Sequence, residues 1–453
     1  MGEHATREEE IDDVLRGDVL VGLSTASCAR RSACETAGVA VELGADALRD
    51  ALARLERRDP RLAADAADAV ESLSWSEPED PVRFGLHDLQ LFLWYVLPCK
   101  WIAPEEELLA VARALGELLE AAGAPERYVA LCRSAETERL IRSGGDGFAE
   151  LLEESGLEPP DVPPLEWSDL MTPEEADFRA DASRYLEDAV ERGAFEPGAP
   201  GWRGRQQAVL ETFLTSRDES GETPLARIRL ARVEAWLGPP GLTDELGGER
   251  RSRLEPLVPL LEQEPDAEAA ASALDPLLWL LGLCSEGAQL TQTMALARAI
   301  VREGVERYPV WWHEAFIGPP QRELDVRPLE LLHAFALELK LVRRHRRTLR
   351  LSRLGRELRS QPQALLRLVA EELAAAGGFG IDVGLAFLLT GSGRPTDTVE
   401  APAWIALGVD SLLTPFAGMS GWIWTGAGLT EGGRTLALAI LRARATGPRH
   451  VLF

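Results

Sequence analysis

The sequence predicts a mainly α-helical, multi-domain protein that ends in two small modules, each combining helices with a short β-hairpin. Three observations favour this fold class. Apolar residues recur at helical spacing through most of the first 320 residues, and strand-like alternation is scarce before residue 341. The chain has 453 residues, which exceeds what one hydrophobic core usually organises.

Residues 1–218 are predicted to form an acidic helical domain. Apolar residues follow helical spacing over 45–72, with a break at Pro60, and a further helix is expected over 174–192. Residues 105–122 give the clearest amphipathic helix, because apolar side chains follow the three–four rhythm and acids crowd the first turn. These segments indicate helix packed on helix.

Two further domains are predicted beyond a polar, turn-rich boundary at residues 216–224. A helical middle segment is expected over 219–320, and the tandem helix-and-hairpin region over 321–453. Helices of the middle segment are expected at about residues 225–236, 252–263, 267–283 and 291–307.

Charge is distributed unevenly along the chain, whose net charge is −26. The first 200 residues hold 44 acidic and 19 basic residues, whereas residues 301–453 hold 15 acidic and 19 basic residues. The N-terminal half should therefore repel nucleic acid and anionic membranes. Only the C-terminal third could approach a polyanion, which makes it the place to look for a binding surface.

Nothing in the sequence indicates export, a membrane span or a metal site. The first thirteen residues are polar and acidic, and no apolar run reaches the roughly 18–20 residues of a membrane helix. We therefore expect a cytoplasmic protein that contacts no membrane. The five scattered cysteines suggest reduced, mostly buried thiols, and the spacing of Cys28 and Cys34 matches no common zinc site. We expect no metal and no cofactor.

Catalytic motifs are also missing, so an enzyme of unrecognised type is only a third hypothesis for the function. His313 and Glu314 begin like a zinc-protease helix, but position 317 is isoleucine rather than histidine. The glycine-rich stretches lack the lysine and serine of a phosphate-binding loop. We predict no catalytic residues.

One pattern occurs twice near the C-terminus, at residues 351–358 and 429–436. Both copies read Leu, Ser or Thr, two variable residues, Gly, Arg, one variable residue, Leu. Ser352 and Thr430 are placed to cap the helices expected at about 353–375 and 431–445. Before the first copy we expect a helix over 328–340, strands at 341–344 and 348–352, and a tight turn at 345–347.

The segment LELKLVRRHRRTLRLSRLGREL, residues 337–358, resembles the recognition-helix end and wing of bacterial winged-helix transcription regulators. Together with residues 429–449 it is similar to a group of uncharacterised bacterial proteins, many from actinobacteria and plasmids, that carry two winged-helix-like segments in tandem. The resemblance implies that the wing contacts the backbone or minor groove of double-stranded DNA. The residues that would make this contact are Lys340, Arg343, Arg344, Arg346, Arg347, Arg350 and Arg353.

The helix expected at 328–340 departs from the regulator pattern. It places Glu330, His333 and Glu338 among apolar residues and lacks the side chains that usually read base edges. This departure argues against sequence-specific DNA binding.

Three interpretations of the basic segment 340–359, which has nine basic residues and one acid, therefore remain open. It binds nucleic acid, it docks on an acidic protein surface (including the N-terminal half of the same chain), or it is an inert solvated face. The leading hypothesis is a non-enzymatic binding protein, and its main competitor is an interaction scaffold whose winged modules pack internally. The sequence does not indicate an oligomeric state.

Overall fold

A computed structural model describes residues 41–43, 45–73, 82–238, 244–312, 318–375, 379–390 and 429–450. The described chain is mainly helical and its few strands are short, which confirms the predicted fold class. Contacts among the described residues define two compact units, one within residues 1–231 and 449–453 and the other within residues 232–448. The domain boundaries expected at 218 and 320 stay predictions.

The first unit is built from helices and one two-stranded antiparallel sheet. The strands are β1 (Val41–Leu43) and β2 (Val82–Phe84), with Val41 opposite Phe84. The helices are α1 (Ala45–Arg58), α2 (Pro60–Leu73), α3 (Leu86–Leu91), α4 (Leu97–Lys100), α5 (Glu105–Ala122), α6 (Glu126–Cys132), α7 (Ala135–Arg142), α8 (Phe148–Ser155), α9 (Pro173–Glu191) and α10 (Trp202–Thr215). Helix α11 (Pro224–Leu237) begins in this unit, and its residues from 232 onward belong to the second. A π-helical turn over Phe92–Val96 joins α3 to α4.

The core of the first unit confirms the clearest helical predictions. Helix α5 spans Glu105–Ala122, buries its leucine face against α2, and ends at Gly123 with a φ of 83°. Such a left-handed residue is the usual way to satisfy the last carbonyls of a helix. The break expected at Pro60 separates α1 from α2, since proline is tolerated in the first turn of a helix but not in its interior.

The second unit contains the remaining elements. Its helices are α12 (Asp244–Leu254), α13 (Val258–Leu261), α14 (Ala267–Ala273), α15 (Asp275–Glu286), α16 (Arg298–Arg307), α17 (Arg327–Glu338), α18 (Arg353–Leu358), α19 (Pro362–Ala375), α20 (Phe379–Thr390) and α21 (Glu431–Thr446). Its strands are β3 (Ala288–Gln289), β4 (Val342–His345) and β5 (Thr348–Leu351), which form an antiparallel sheet in the order β3–β5–β4.

Several expected helices of this unit are broken in the structure. The helix expected over 353–375 is two helices, α18 and α19, because Pro362 begins the second one. The segment 267–283 is also divided, at Leu274, into α14 and α15. Residues 291–297 are a turn rather than the start of α16. In the first two cases, a proline at or near the break is the feature of the sequence that indicates it.

Two expectations fall outside the described residues. Cys28 and Cys34 lie in residues 1–40, and any hairpin of the second helix-and-hairpin module would lie within residues 391–428. Of that second module the structure describes α21, whose first turn is capped as expected: the Gly433 amide donates to Thr430 Oγ1 at 3.0 Å.

Candidate nucleic-acid interface

The basic segment forms the hairpin that the sequence predicts. Strands β4 and β5 pair with Val342 opposite Leu351 and His345 opposite Thr348, so the turn between them consists of two residues, Arg346 and Arg347. Leu349 and Leu351 are buried, and Arg350 between them is exposed. In β5 the period of two therefore places the apolar side chains in the core and Arg350 outside.

The base of the hairpin is fixed by the repeated sequence pattern. The Ser352 amide donates to the carbonyl of Leu341 at 2.9 Å, and Ser352 Oγ accepts from the Gly355 amide at 2.9 Å. A Cβ atom at Gly355 would overlap the carbonyl oxygen of Leu341. The serine thus caps α18, and the glycine lets α18 approach the chain where it enters β4.

Strand β3 holds the other side of the hairpin. Ala288 lies opposite Leu349 and Gln289 opposite Thr348, and the Leu290 amide donates to the Arg347 carbonyl at 2.9 Å. The hairpin is therefore supported up to its turn by a strand that comes from 50 residues or more earlier in the chain. Sequence reasoning missed β3, because a two-residue strand has no detectable alternation.

All of the sequence-predicted interface residues are exposed, and the structure brings them into one region of the second unit. Arg343 and Arg344 lie on β4, Arg346 and Arg347 form the turn, and Arg350 lies on β5. Lys340 follows the end of α17 and Arg353 is the first residue of α18. Within the described ranges, none of these seven side chains forms an ion pair with a carboxylate.

Three of these arginines occupy positions that local stability disfavours. Arg343 lies directly opposite Arg350 on the solvent-facing side of the hairpin, and like charges in that relation are destabilising. Arg346 has a φ of 53°, in the left-handed region that favours glycine. Departures of this kind from local preference are expected at functional or strained sites.

Replacing Arg346 with glycine should therefore stabilise the second unit by about 0.5–1 kcal/mol, because it removes the left-handed strain and one of several like charges. Urea unfolding with a probe in the second unit measures the change. Arg347→Gly is the matched control, since the φ of Arg347 is not positive and glycine there only adds freedom to the unfolded chain. Equal effects of the two substitutions would contradict the strain at Arg346.

Helix α17, which precedes the hairpin, exposes few groups that could read bases. Ala334 and Glu338 are exposed, and Glu330 pairs with Arg327 at 2.6 Å. His333 is buried: its Nδ1 lies 2.7 Å from Glu323 Oε1, and Glu323 Oε2 accepts from the Leu296 amide at 2.5 Å. The histidine noted in the sequence therefore connects α17 to two preceding loops and does not contribute to an outer face.

Sequence reasoning missed three polar clusters, each of which contains a buried side chain and has members far apart in the chain. In the second unit, Asp382 receives hydrogen bonds from Arg250, Arg444 and Trp236. In the first unit, Glu187 receives them from Arg127, Tyr128 and the Leu86 amide. The third cluster, also in the first unit, joins His87, Glu158 and Arg179. Sequence separations of 21 to 146 residues between partners leave no local signal.

The electrostatics of the third cluster are those of a satisfied structural group. Burial alone would raise the pKa of Glu158, but the hydrogen bond with His87 and the charge of Arg179 together hold that pKa below its usual value. The carboxylate therefore stays ionised and paired at neutral pH. A group in that state is a poor proton donor, so the cluster gives no support to acid catalysis.

The described cysteines are free thiols. Cys132 and Cys284 are buried, and burial raises the pKa of each to about 12, so both stay protonated and unreactive at neutral pH. Cys99 is exposed, and its Sγ lies 3.3 Å from the Gly144 carbonyl oxygen. The described part of the chain has no cluster of three or more His, Cys, Asp or Glu side chains suited to a metal ion.

Among the described residues, no single helix is long and apolar enough to cross a membrane. Helices α14 and α15 together have the length and apolar composition of a membrane span, but they are bent by 82° relative to each other.

A family model described as the Y4jL N-terminal domain matches residues 281–364. The match runs from within α15 to the start of α19, and so it includes the sheet, α17 and the seven basic candidates. It fits the resemblance of this region to uncharacterised bacterial proteins. No curated protein and no solved structure matches the chain.

Proposed function

We propose that residues 275–358 form a winged-helix module that binds double-stranded DNA through its basic hairpin, as part of a non-enzymatic binding protein. One observation carries the proposal: five arginines, Arg343, Arg344, Arg346, Arg347 and Arg350, extend from a rigidly anchored hairpin without a carboxylate partner among the described residues. Guanidinium groups presented in this way match the geometry and charge of phosphates.

The topology supports the same proposal. A helix (α15), a strand (β3), two helices (α16 and α17) and a hairpin follow each other, and the last strand pairs between the other two. This order is the one expected of a winged-helix unit, with β4 and β5 as the wing. The region matched by the family model covers almost the whole of it.

The contact is proposed to be with the DNA backbone and to be independent of sequence. Apart from Arg327, which pairs with Glu330 in the first turn, the exposed positions of α17 are Ala334 and Glu338. These two offer no hydrogen-bond donor to base edges, and a carboxylate there would be repelled by phosphates. Binding energy must then come from the hairpin, and so it should depend strongly on salt.

A salt titration with a random-sequence duplex tests the proposal. We expect the full chain to bind with a steep loss of affinity as salt rises, measured by fluorescence anisotropy. Replacing Arg344, Arg346 and Arg347 with glutamine should lower the slope of log affinity against log salt by about three, since each phosphate contact contributes about 0.9 to that slope.

The matched control removes the same charge elsewhere. Arg57, Arg139 and Arg205 are exposed residues of the first unit, and their replacement by glutamine should leave the slope unchanged. Equal effects of the two triple variants, or no binding by the full chain, would overturn the proposal. Binding to polyglutamate as strong as binding to DNA at the same salt would instead favour an acidic protein surface as the partner.

A further inference from the structure

We infer that Arg343 and Arg350 act together as a clamp on a single backbone phosphate of the bound duplex, an inference that rests on the proposed function. The two residues are cross-strand partners in β4 and β5. Their Cβ atoms are therefore about 5 Å apart and point to the same, solvent-facing side of the hairpin. Two planar guanidinium groups starting from such positions can close on one anion from both sides.

The strands around the pair offer donors and no acids. The register places Gln289, Thr348 and His345 in the adjacent row on the same face of the sheet. None of the three strands contains an aspartate or a glutamate. Nothing within the sheet itself can neutralise Arg343 or Arg350, so a phosphate is the counter-charge that this face lacks.

Whether the arginine pair is unfavourable or favourable depends on whether a phosphate is bound. In the free protein the two charges repel each other, and this repulsion opposes formation of the hairpin. A phosphate placed between them converts the repulsion into two charge-assisted interactions, each of which can be bidentate. The pair therefore costs stability without DNA and contributes affinity with it, which is the pattern expected of a binding site rather than of an inert face.

The number of phosphates contacted, read from the salt dependence of binding, distinguishes a clamp from two independent contacts. For the full chain with a random-sequence duplex, we expect the double substitution Arg343→Gln/Arg350→Gln to lower the salt slope by about one, because only one phosphate is released. Neither single substitution should lower it by more than that. The control pair Arg344→Gln/Arg347→Gln removes the same charge from residues that are not opposite each other, and should lower the slope by about two.

The stability of the same variants provides a second measurement. Arg343→Gln should raise the unfolding midpoint by about 1–2 °C, since a like-charge pair is removed, and adding Arg350→Gln should give little further gain. A slope lowered by about two in the double variant, or a midpoint that does not rise, would overturn the clamp. After either result, the DNA-binding proposal still holds if the triple variant at Arg344, Arg346 and Arg347 binds DNA more weakly. If the unaltered chain does not bind DNA, both the clamp and the DNA-binding proposal are wrong.

Discussion

Replacing Asp382 with alanine is expected to destabilise the second unit by about 3–5 kcal/mol, which is the usual cost of removing one partner from a buried ion pair. Asp382 is completely buried in α20. Its Oδ2 accepts from Arg250 at 2.7 Å and from Trp236 Nε1 at 3.0 Å, and Arg444 pairs with its other oxygen. The carboxylate therefore joins α11, α12, α20 and α21.

The size of this effect follows from the charge that is left behind. Arg250 is only 4% exposed and also donates to the Trp236 carbonyl at 3.0 Å, so it cannot turn to water when Asp382 is gone. The buried guanidinium group of Arg250 then loses the negative charge and the hydrogen bond that Asp382 supplies. Chemical denaturation, followed by the fluorescence of the tryptophans in this unit, measures the loss.

Two further variants make the Asp382 experiment decisive. Glu306→Ala removes one exposed carboxylate from the same unit and should change stability by less than about 0.5 kcal/mol. Asp382→Leu combined with Arg250→Met leaves one buried charge fewer, and so it should recover part of the loss. A loss below about 1 kcal/mol for Asp382→Ala would show that the cluster is solvated in solution.

The second large effect is expected at Gly355, where alanine should cost about 3 kcal/mol. The added Cβ would overlap the backbone carbonyl of Leu341, so the start of α18 and the entry to β4 must move apart. That movement breaks the bond from the Ser352 amide to Leu341. The measurements are the free energy of unfolding and hydrogen exchange of the Ser352 amide, which should lose its protection.

Gly248→Ala is the matched control for this substitution. Gly248 lies in α12 with no atom within 4 Å of an added Cβ, so alanine there should stabilise the unit by about 0.5–1 kcal/mol through its better helix propensity. Opposite signs for the two Gly→Ala substitutions would support a close approach at Gly355. A stabilising effect of Gly355→Ala would contradict it.

Local sequence signals predicted the elements around the candidate interface. Leu349 and Leu351 alternate with exposed residues, and Ser352 stands three residues before Gly355, whose amide it caps. The strand and the cap are both present in the structure, as expected. The repeated pattern is explained by these contacts, since its serine or threonine caps a helix and its glycine provides the capped amide. Short-range periodicity and capping are properties of neighbouring residues, which is why sequence alone reveals them.

The parts that sequence reasoning missed depend on contacts between distant residues. Asp382 meets Arg250 across 132 positions, and β3 is recognisable as a strand only through its pairing with β5. The burial of His333 against Glu323 likewise depends on how a loop folds back over α17. Such contacts follow from the tertiary arrangement, and a single sequence carries no periodic signal for them.

The position of β4 at the border of the sheet has a consequence for the behaviour of the protein in solution. Within the described sheet, β4 pairs only with β5, so its other side offers backbone amides and carbonyls to any extended chain. Charged side chains on such a border strand are a common protection against strand addition between molecules. The arginines of β4 thus also hinder self-association, and variants that neutralise them should be checked for dimers by light scattering before any loss of ligand affinity is interpreted.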